Sequence, residues 1–262
     1  MIIRPREILP GPPLGYPFRP RYGSPQANGL VAWWPVQRLI NNVVGPGDVT
    51  STTASYFTAP DSTLGQMWDT ASSAPIVEGM GDWFAGKPLT VTFWLRTATI
   101  NATVTLVGFF DMSAPFGGFG IALNNSGVGK LVYWGGSGAG ANKISASNTY
   151  NDGNLHFCAV TVEGTLVSFF QDAVADGTDN TAQQPTAYSG TRRLFANSNG
   201  TAGFDGEMAD IRIYNRALSP DAIWAMYDPK TRWDLYDTTT AAWISSGGGG
   251  GASTFPALTV AI

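Results

Sequence analysis

An all-β fold, an antiparallel sandwich of two sheets, follows from three observations. Thirty-two of the 262 residues are glycine, 12% are aromatic and only 13% are charged. That balance suits many tight turns and few long amphipathic helices. Two segments read as strand pairs. Phe119, Ile121 and Leu123 alternate inward up to Asn124-Asn125-Ser126-Gly127, and Leu131 and Tyr133 resume before Gly135-Gly136-Ser137-Gly138. Residues 156–162 and 166–171 pair across Glu163-Gly164-Thr165. Third, residues 204–228 hold a strand and a short helix. Ile211 and Ile213 alternate with Asp210, Arg212 and Tyr214, the period of a strand with one buried face. Ser219 then offers an N-cap oxygen, Pro220 takes the first helical position and Pro229 stops the helix.

Five stretches, in chain order, resemble the motifs of laminin-G-like, concanavalin A-type lectin domains. Gly29–Pro35 (GLVAWWP) resembles the opening strand, and Lys87–Thr97 (KPLTVTFWLRT) a later one. Asp152–Thr161 (DGNLHFCAVT) is similar to the family's D-G-x-W-H strand, with Leu155 in place of tryptophan. Leu166–Asp172 follows, and where the family ends in Asp-Gly this chain has Asp172-Ala173. Phe204–Asp228 resembles the C-terminal signature. The resemblance implies a concanavalin A-like jelly roll over residues 29–228, with the small helix plugging the end of the sandwich.

Two extensions flank that domain. Residues 1–28 carry seven prolines, which fix φ and remove backbone donors, so an extended polyproline-II arm is expected. Ile8, Leu9, Tyr16 and Phe18 give it an apolar load that a solvated tail does not need. Arg4, Arg6, Arg19 and Arg21 stand against one acid, Glu7. These residues suit packing along the chain's own domain or on a neighbouring subunit. In residues 229–262, Trp233, Leu235 and Tyr236 are expected to pack back on the sandwich. Gly247–Gly251 form a flexible linker, and an apolar tail with Phe255 and Leu258 follows. Such a tail suits strand addition at a sheet edge, or ordinary packing on its own domain.

Composition excludes some classes. A formal net charge of −4 and a pI near 4.9 leave no broad basic footprint for nucleic acid. Cys158, the single cysteine, permits no intrachain disulfide and reads as a small buried hydrophobe. The first residues carry charges and prolines where a secretory signal needs an apolar run, and no stretch approaches the ~20 apolar residues of a membrane span. No signal peptide and assembly in a host cytoplasm are expected.

Catalysis is not expected either. The paired-carboxylate spacings of related glucanases are missing, and His156 is the only histidine. No Cys/His cluster has metal-ligand spacing, and no cofactor is expected. Calcium stays open through Asp111, Asp152, Asp172, Asp205 and Asp210, although Asp152 and Asp172 suit turn-capping better. For glycan contact, Trp134, Tyr150 and Tyr188 sit in or beside loops with Asn148, Asn142, Asn151 and Asn180, an aromatic platform beside amides. The arms, together with Tyr227–Tyr236, resemble virion-surface proteins of tailed phages. That resemblance implies a non-enzymatic capsid decoration or head/tail surface protein. Its partners would be a major capsid protein or other virion protein and further copies of itself. The rival expectation is a carbohydrate-binding module or adhesin for a host or environmental polysaccharide.

Overall fold

The computed structural model describes residues 20–35, 44, 56–57, 64, 67–69, 76–77, 80–98, 104–110, 117–124, 129–136, 142–196, 200 and 203–236. In chain order the strands are β1 (Leu30–Trp34), β2 (Tyr56–Phe57), β3 (Trp68–Asp69), β4 (Ile76–Val77), β5 (Leu89–Arg96), β6 (Val104–Phe110) and β7 (Gly118–Asn124). They continue as β8 (Lys130–Gly135), β9 (Asn142–Ser145), β10 (Leu155–Glu163), β11 (Leu166–Gln171), β12 (Val174–Asp179), β13 (Arg192–Leu194) and β14 (Glu207–Tyr214). One helix, α1 (Pro220–Tyr227), follows β14, and a 3₁₀ turn, Pro25–Ala27, precedes β1.

Among the described residues, two antiparallel sheets form. The larger has the order β12-β11-β10-β5-β14-β3-β2, with β1 also pairing β14; the smaller runs β4-β13-β6-β7-β8-β9. Alternation decides which side chains meet between them. Val91, Phe93 and Leu95 on β5, Cys158, Val160 and Val162 on β10, and Val167 and Phe169 on β11 face inward. They meet Phe119, Ile121 and Leu123 on β7 and Leu131 and Tyr133 on β8. Edge-to-face aromatic pairs, Trp68–Phe195 at 4.6 Å and Phe84–Phe119 at 5.1 Å, stitch this interior. Both expected strand pairs are present, β7 with β8 and β10 with β11.

β14 departs from the simple alternation. Met208, Ile211 and Ile213 all face the interior, which a regular strand does not permit for positions three apart. A bulge between Ala209 and Arg212 resolves this, with Asp210 at φ 49° absorbing the extra residue. The strand is also buried on both faces rather than one. Arg212 is 0% exposed, and Tyr214 on the outer side is equally sealed. The reason is α1, which lies across the outer face of the larger sheet instead of plugging an end of the sandwich. Ile223 and Met226 pack there with Trp94, Phe157, Phe170 and Tyr214. Its N-terminus is built as expected: Ser219 Oγ accepts from the Ala222 N–H at 3.3 Å, and Pro220 begins the helix.

Residues 20–28 and 229–236 cover a further part of that outer face, by β1, β14 and α1. Pro20 and Tyr236 form an isolated antiparallel bridge, and the Arg21 N–H donates to Leu235 O at 2.6 Å. Leu235 and Tyr236 pack on Trp33, with Tyr236 edge-on to the indole at 4.6 Å. Gln26 donates to the carbonyls of Ala225 and Thr231 and accepts from Arg212 Nη1 at 2.7 Å. So this part of the N-terminal arm is fastened to its own domain. Of the arm and tail residues singled out above, Arg4, Arg6, Ile8, Leu9, Tyr16, Phe18, Arg19, Phe255 and Leu258 lie outside the described residues.

The β11–β12 turn carries a local cost. Gln171 pairs with Val174, leaving a two-residue loop, and both loop residues have positive φ, 52° at Asp172 and 63° at Ala173. That is the backbone of a hairpin turn which favours Asp-Gly. Asp tolerates the left-handed region, whereas alanine pays roughly 1–2 kcal/mol for it. Ala173→Gly is expected to stabilise the protein by about 0.5–1 kcal/mol, since glycine's larger unfolded-state freedom returns part of the gain. A lower urea midpoint for the variant would show that the turn is not strained.

Candidate functional site

A polar cluster forms where the 147–154 loop meets the β11–β12 hairpin. The Asn148 N–H donates to Asp176 Oδ1 at 2.8 Å, and Asn148 Nδ2 donates to Gln171 Oε1 at 2.9 Å. Gln171 Nε2 in turn donates to Thr149 O at 3.3 Å. Beneath them the Tyr150 hydroxyl donates to Asp176 Oδ2 at 2.5 Å. Burial, above all, pushes the Tyr150 phenol up well beyond its ordinary value, and the adjacent Asp176 carboxylate adds to this. The tyrosine therefore serves as a fixed neutral donor that holds Asp176, which holds the loop.

Next to it, His156 is bracketed by two carboxylates. Its Nδ1 lies 2.9 Å from Asp172 Oδ2 and its Nε2 lies 3.1 Å from Asp152 Oδ1. Neutral imidazole has one N–H and satisfies one of these at a time; imidazolium donates to both. Asp172 Oδ1 also accepts from the Phe157 N–H at 2.9 Å, which ties the hairpin to the start of β10. Asp152 accepts from the backbone and side-chain nitrogens of Asn154 at 2.8 and 2.7 Å. The Asn154 backbone N–H is the main reason its carboxyl sits below the usual carboxylate range, although burial pushes the other way. Both aspartates thus cap local structure, as their sequence context suggested.

The outcome is a surface of amides and carboxylates in fixed orientation. Asn148, Thr149, Asp152 and Asn154 are exposed, and Val174, also exposed, lies in the same hairpin. Such groups can accept from and donate to the vicinal hydroxyls of a saccharide. Among the described residues, no three His, Cys, Asp or Glu side chains are arranged to hold a metal ion. Asp111 lies outside those residues, and both Asp210 oxygens are engaged by Arg212. No described helix is long and apolar enough to cross a membrane.

The four residues expected to touch glycan are divided. Asn148 and Tyr150 meet through Asp176, but the Tyr150 ring is buried, edge-on to His156, and is no platform. Trp134 lies on the outer face of the smaller sheet beside Ala122 and Val132, only 8% exposed. Tyr188 is buried under the Arg192 guanidinium and its hydroxyl donates to Thr191 O at 2.8 Å. The physical reason is shared: each ring is large and apolar, and each finds sheet or loop cover. Gln171, Thr149 and His156 carry no expectation of ligand contact, and Asp152 and Asp172 stand only as calcium or turn-capping candidates. Only the Asp152-Gly153-Asn154 turn pattern signalled them in the sequence.

Comparison with known proteins places this geometry in context. No curated protein matches the chain. The binding domain of Paraclostridial Mosquitocidal Protein 1 has a similar structure, with a TM-score of 0.59 and 18% identity over 77% of this chain and 52% of that one. Domain 4 of AbnA, an extracellular arabinanase from Geobacillus stearothermophilus solved with arabinotriose, gives 0.57 and 16%, over 76% of this chain and 98% of that domain. The botulinum neurotoxin serotype D ligand-binding domain, solved with N-acetylneuraminic acid, gives 0.57 and 11%, over 76% and 50%. The chain spans about half the length of the two toxin domains. Likenesses at these identities establish the fold. A family model, laminin-G-like and described as the concanavalin A-like lectin/glucanases superfamily, matches residues 51–224. With that match running over about two thirds of the chain, the protein belongs to the laminin-G-like family of the concanavalin A-like lectin/glucanases superfamily.

Proposed function

We propose that the protein is a non-catalytic carbohydrate-binding module that takes an oligosaccharide on the 147–154 loop and the β11–β12 hairpin. The observation that carries this is the fixed array of exposed Asn148, Thr149, Asp152 and Asn154, held from below by Asp176, Gln171 and His156. The match to AbnA domain 4 lends support, because nearly all of that domain is covered and it was solved with arabinotriose. The toxin domains lend less, since about half of each lies beyond the matched region.

The test is calorimetric titration of the full chain with a panel of neutral oligosaccharides, arabinotriose among them. Asn148→Ala is expected to weaken the bound member about three- to tenfold, the value of one side-chain hydrogen bond. A wild-type chain that binds none of the panel, or an Asn148→Ala variant with unchanged affinity, overturns the assignment of this site.

A second reading draws on one further observation. The Pro20–Tyr236 bridge brings the roots of both extensions together on the sandwich surface. A virion-surface protein anchored to a capsid or tail through those extensions would attach at one point and display the sandwich outward, in several copies. Co-sedimentation with a capsid or tail protein at fixed stoichiometry supports this reading; a chain left at the top of the gradient removes it.

A further inference from the structure

Arg232 is a buried cation with no direct ion pair among the described residues. It is 6% exposed, and no hydrogen bond or ion pair engages its guanidinium among the described residues. Nε is sealed from solvent with no acceptor. The two carboxylates whose charges act on it, Asp228 and Asp210, make other hydrogen bonds. Asp228 Oδ1 accepts from the Lys230 N–H at 3.1 Å, and both oxygens of Asp210 bind Arg212, with Trp33 on one of them. What Arg232 does touch is an aromatic face: its guanidinium carbon lies 5.0 Å from the Trp94 ring centroid. Cation–π attraction recovers only part of the cost of taking a charge out of water. A charge in this setting is ordinarily paired.

The rings around it form a continuous series. Trp94 stacks on Tyr227 at 5.9 Å and 24°, and Tyr227 meets Trp224 at 5.7 Å. Trp224 is 52% exposed, the most exposed tryptophan among the described residues. So a half-open indole ends a series of rings that begins at a recessed guanidinium, whose fork fits a carboxylate bidentately. The place is the outer face of the larger sheet, beside α1, and none of the 147–154 residues contributes to it.

We propose that this is a second ligand site, which takes the carboxylate of an acidic saccharide on Arg232 while a neighbouring pyranose ring lies against Trp224 and Tyr227. The saccharide half of this assignment rests on the carbohydrate-binding reading; the carboxylate half rests on Arg232 alone. Without ligand the cation destabilises the fold, which is the cost a binding site bears and a structural residue does not.

The experiment titrates the full chain with an oligogalacturonate, a neutral oligogalactoside of equal length, and acetate, following tryptophan fluorescence and calorimetry. Wild type is expected to bind the acidic oligomer, and Arg232→Met to weaken it by about 30-fold or more. Arg232→Lys, which keeps the charge and loses the fork, is expected to fall between them. Unliganded Arg232→Met should melt at or above the wild-type midpoint. A lower midpoint makes Arg232 a structural residue and overturns the proposal, as does acidic-oligomer binding that is indifferent to Arg232. Acetate binding as tightly as the oligomer overturns the saccharide half. Neutral binding without any preference for the acidic oligomer sinks this site and leaves the loop site standing; acidic, Arg232-dependent binding with no neutral binding does the reverse.

Discussion

Asp210→Ala is expected to cost about 3–5 kcal/mol of folding stability, the penalty for stranding one half of a buried ion pair. Arg212 is fully buried, and among the described residues Asp210 is its sole carboxylate partner, bonded at 3.0 Å through Nε and 2.7 Å through Nη2. Burial works against the guanidinium charge, yet the adjacent Asp210 outweighs it and holds Arg212 above its ordinary value. The same carboxylate accepts from Trp33 Nε1 at 2.7 Å, so its loss also removes a hydrogen bond from β1. Gln26 holds Nη1 but carries no charge to replace it. The measurement is urea unfolding, with a lower midpoint at unchanged slope. Asp210→Asn keeps the residue type that tolerates φ 49° and separates backbone strain from lost charge. The double variant Asp210→Ala/Arg212→Met should recover part of the loss, because neither charge then remains buried. An Asp210→Ala variant within about 1 kcal/mol of wild type would mean that the network is incidental to the fold.

The second large effect lies on the opposite side of the same sheet. Phe93 is completely buried in β5, whose neighbours β10 and β14 leave it no route to collapse. Phe93→Ala is expected to lose about 3–5 kcal/mol, the transfer cost of the ring plus the cavity it leaves between the sheets. Thr92, one residue earlier, points to the outer face, where its hydroxyl has only a 4.0 Å contact with Met226 Sδ. Thr92→Val should therefore stay within about 1 kcal/mol of wild type. If the two variants unfold alike, the register Phe93–Cys158 and the inward assignment of Phe93 are wrong.

These two neighbours illustrate what the sequence makes legible. Period-2 alternation marks which residues of a strand share a face, so the inward sets of β7, β8, β10 and β11 follow from it. It does not reveal whether the other face is covered. Arg212 and Tyr214 look solvent-facing because their cover, α1 and residues 20–28, comes from distant parts of the chain. Nor does alternation reveal a bulge, since one residue in the left-handed region leaves little mark when it is Asp rather than Gly. The helix itself was readable from Ser219 and Pro220, but its seat was not: an apolar stripe of Ile223 and Met226 fits any apolar surface. At the candidate site, Asn148 was recognisable as a polar loop residue, whereas Tyr150 was drawn inward by Asp176 from 26 positions away. Arg232 shows the limit most plainly, since an arginine between Thr231 and Trp233 carries no sign of burial without its partners in space.

The bridge between Pro20 and Tyr236 means that the two ends of the described sandwich are neighbours. Such a module behaves as a cassette. It can be spliced into a surface loop of another protein without prising that loop apart, because its two junctions are already neighbours. The order of its strands along the chain is equally negotiable. Joining residue 236 to residue 20 and opening the exposed Glu163-Gly164-Thr165 turn yields a permuted chain that retains every strand pairing found among the described residues, so the architecture belongs to the contacts and not to the starting point.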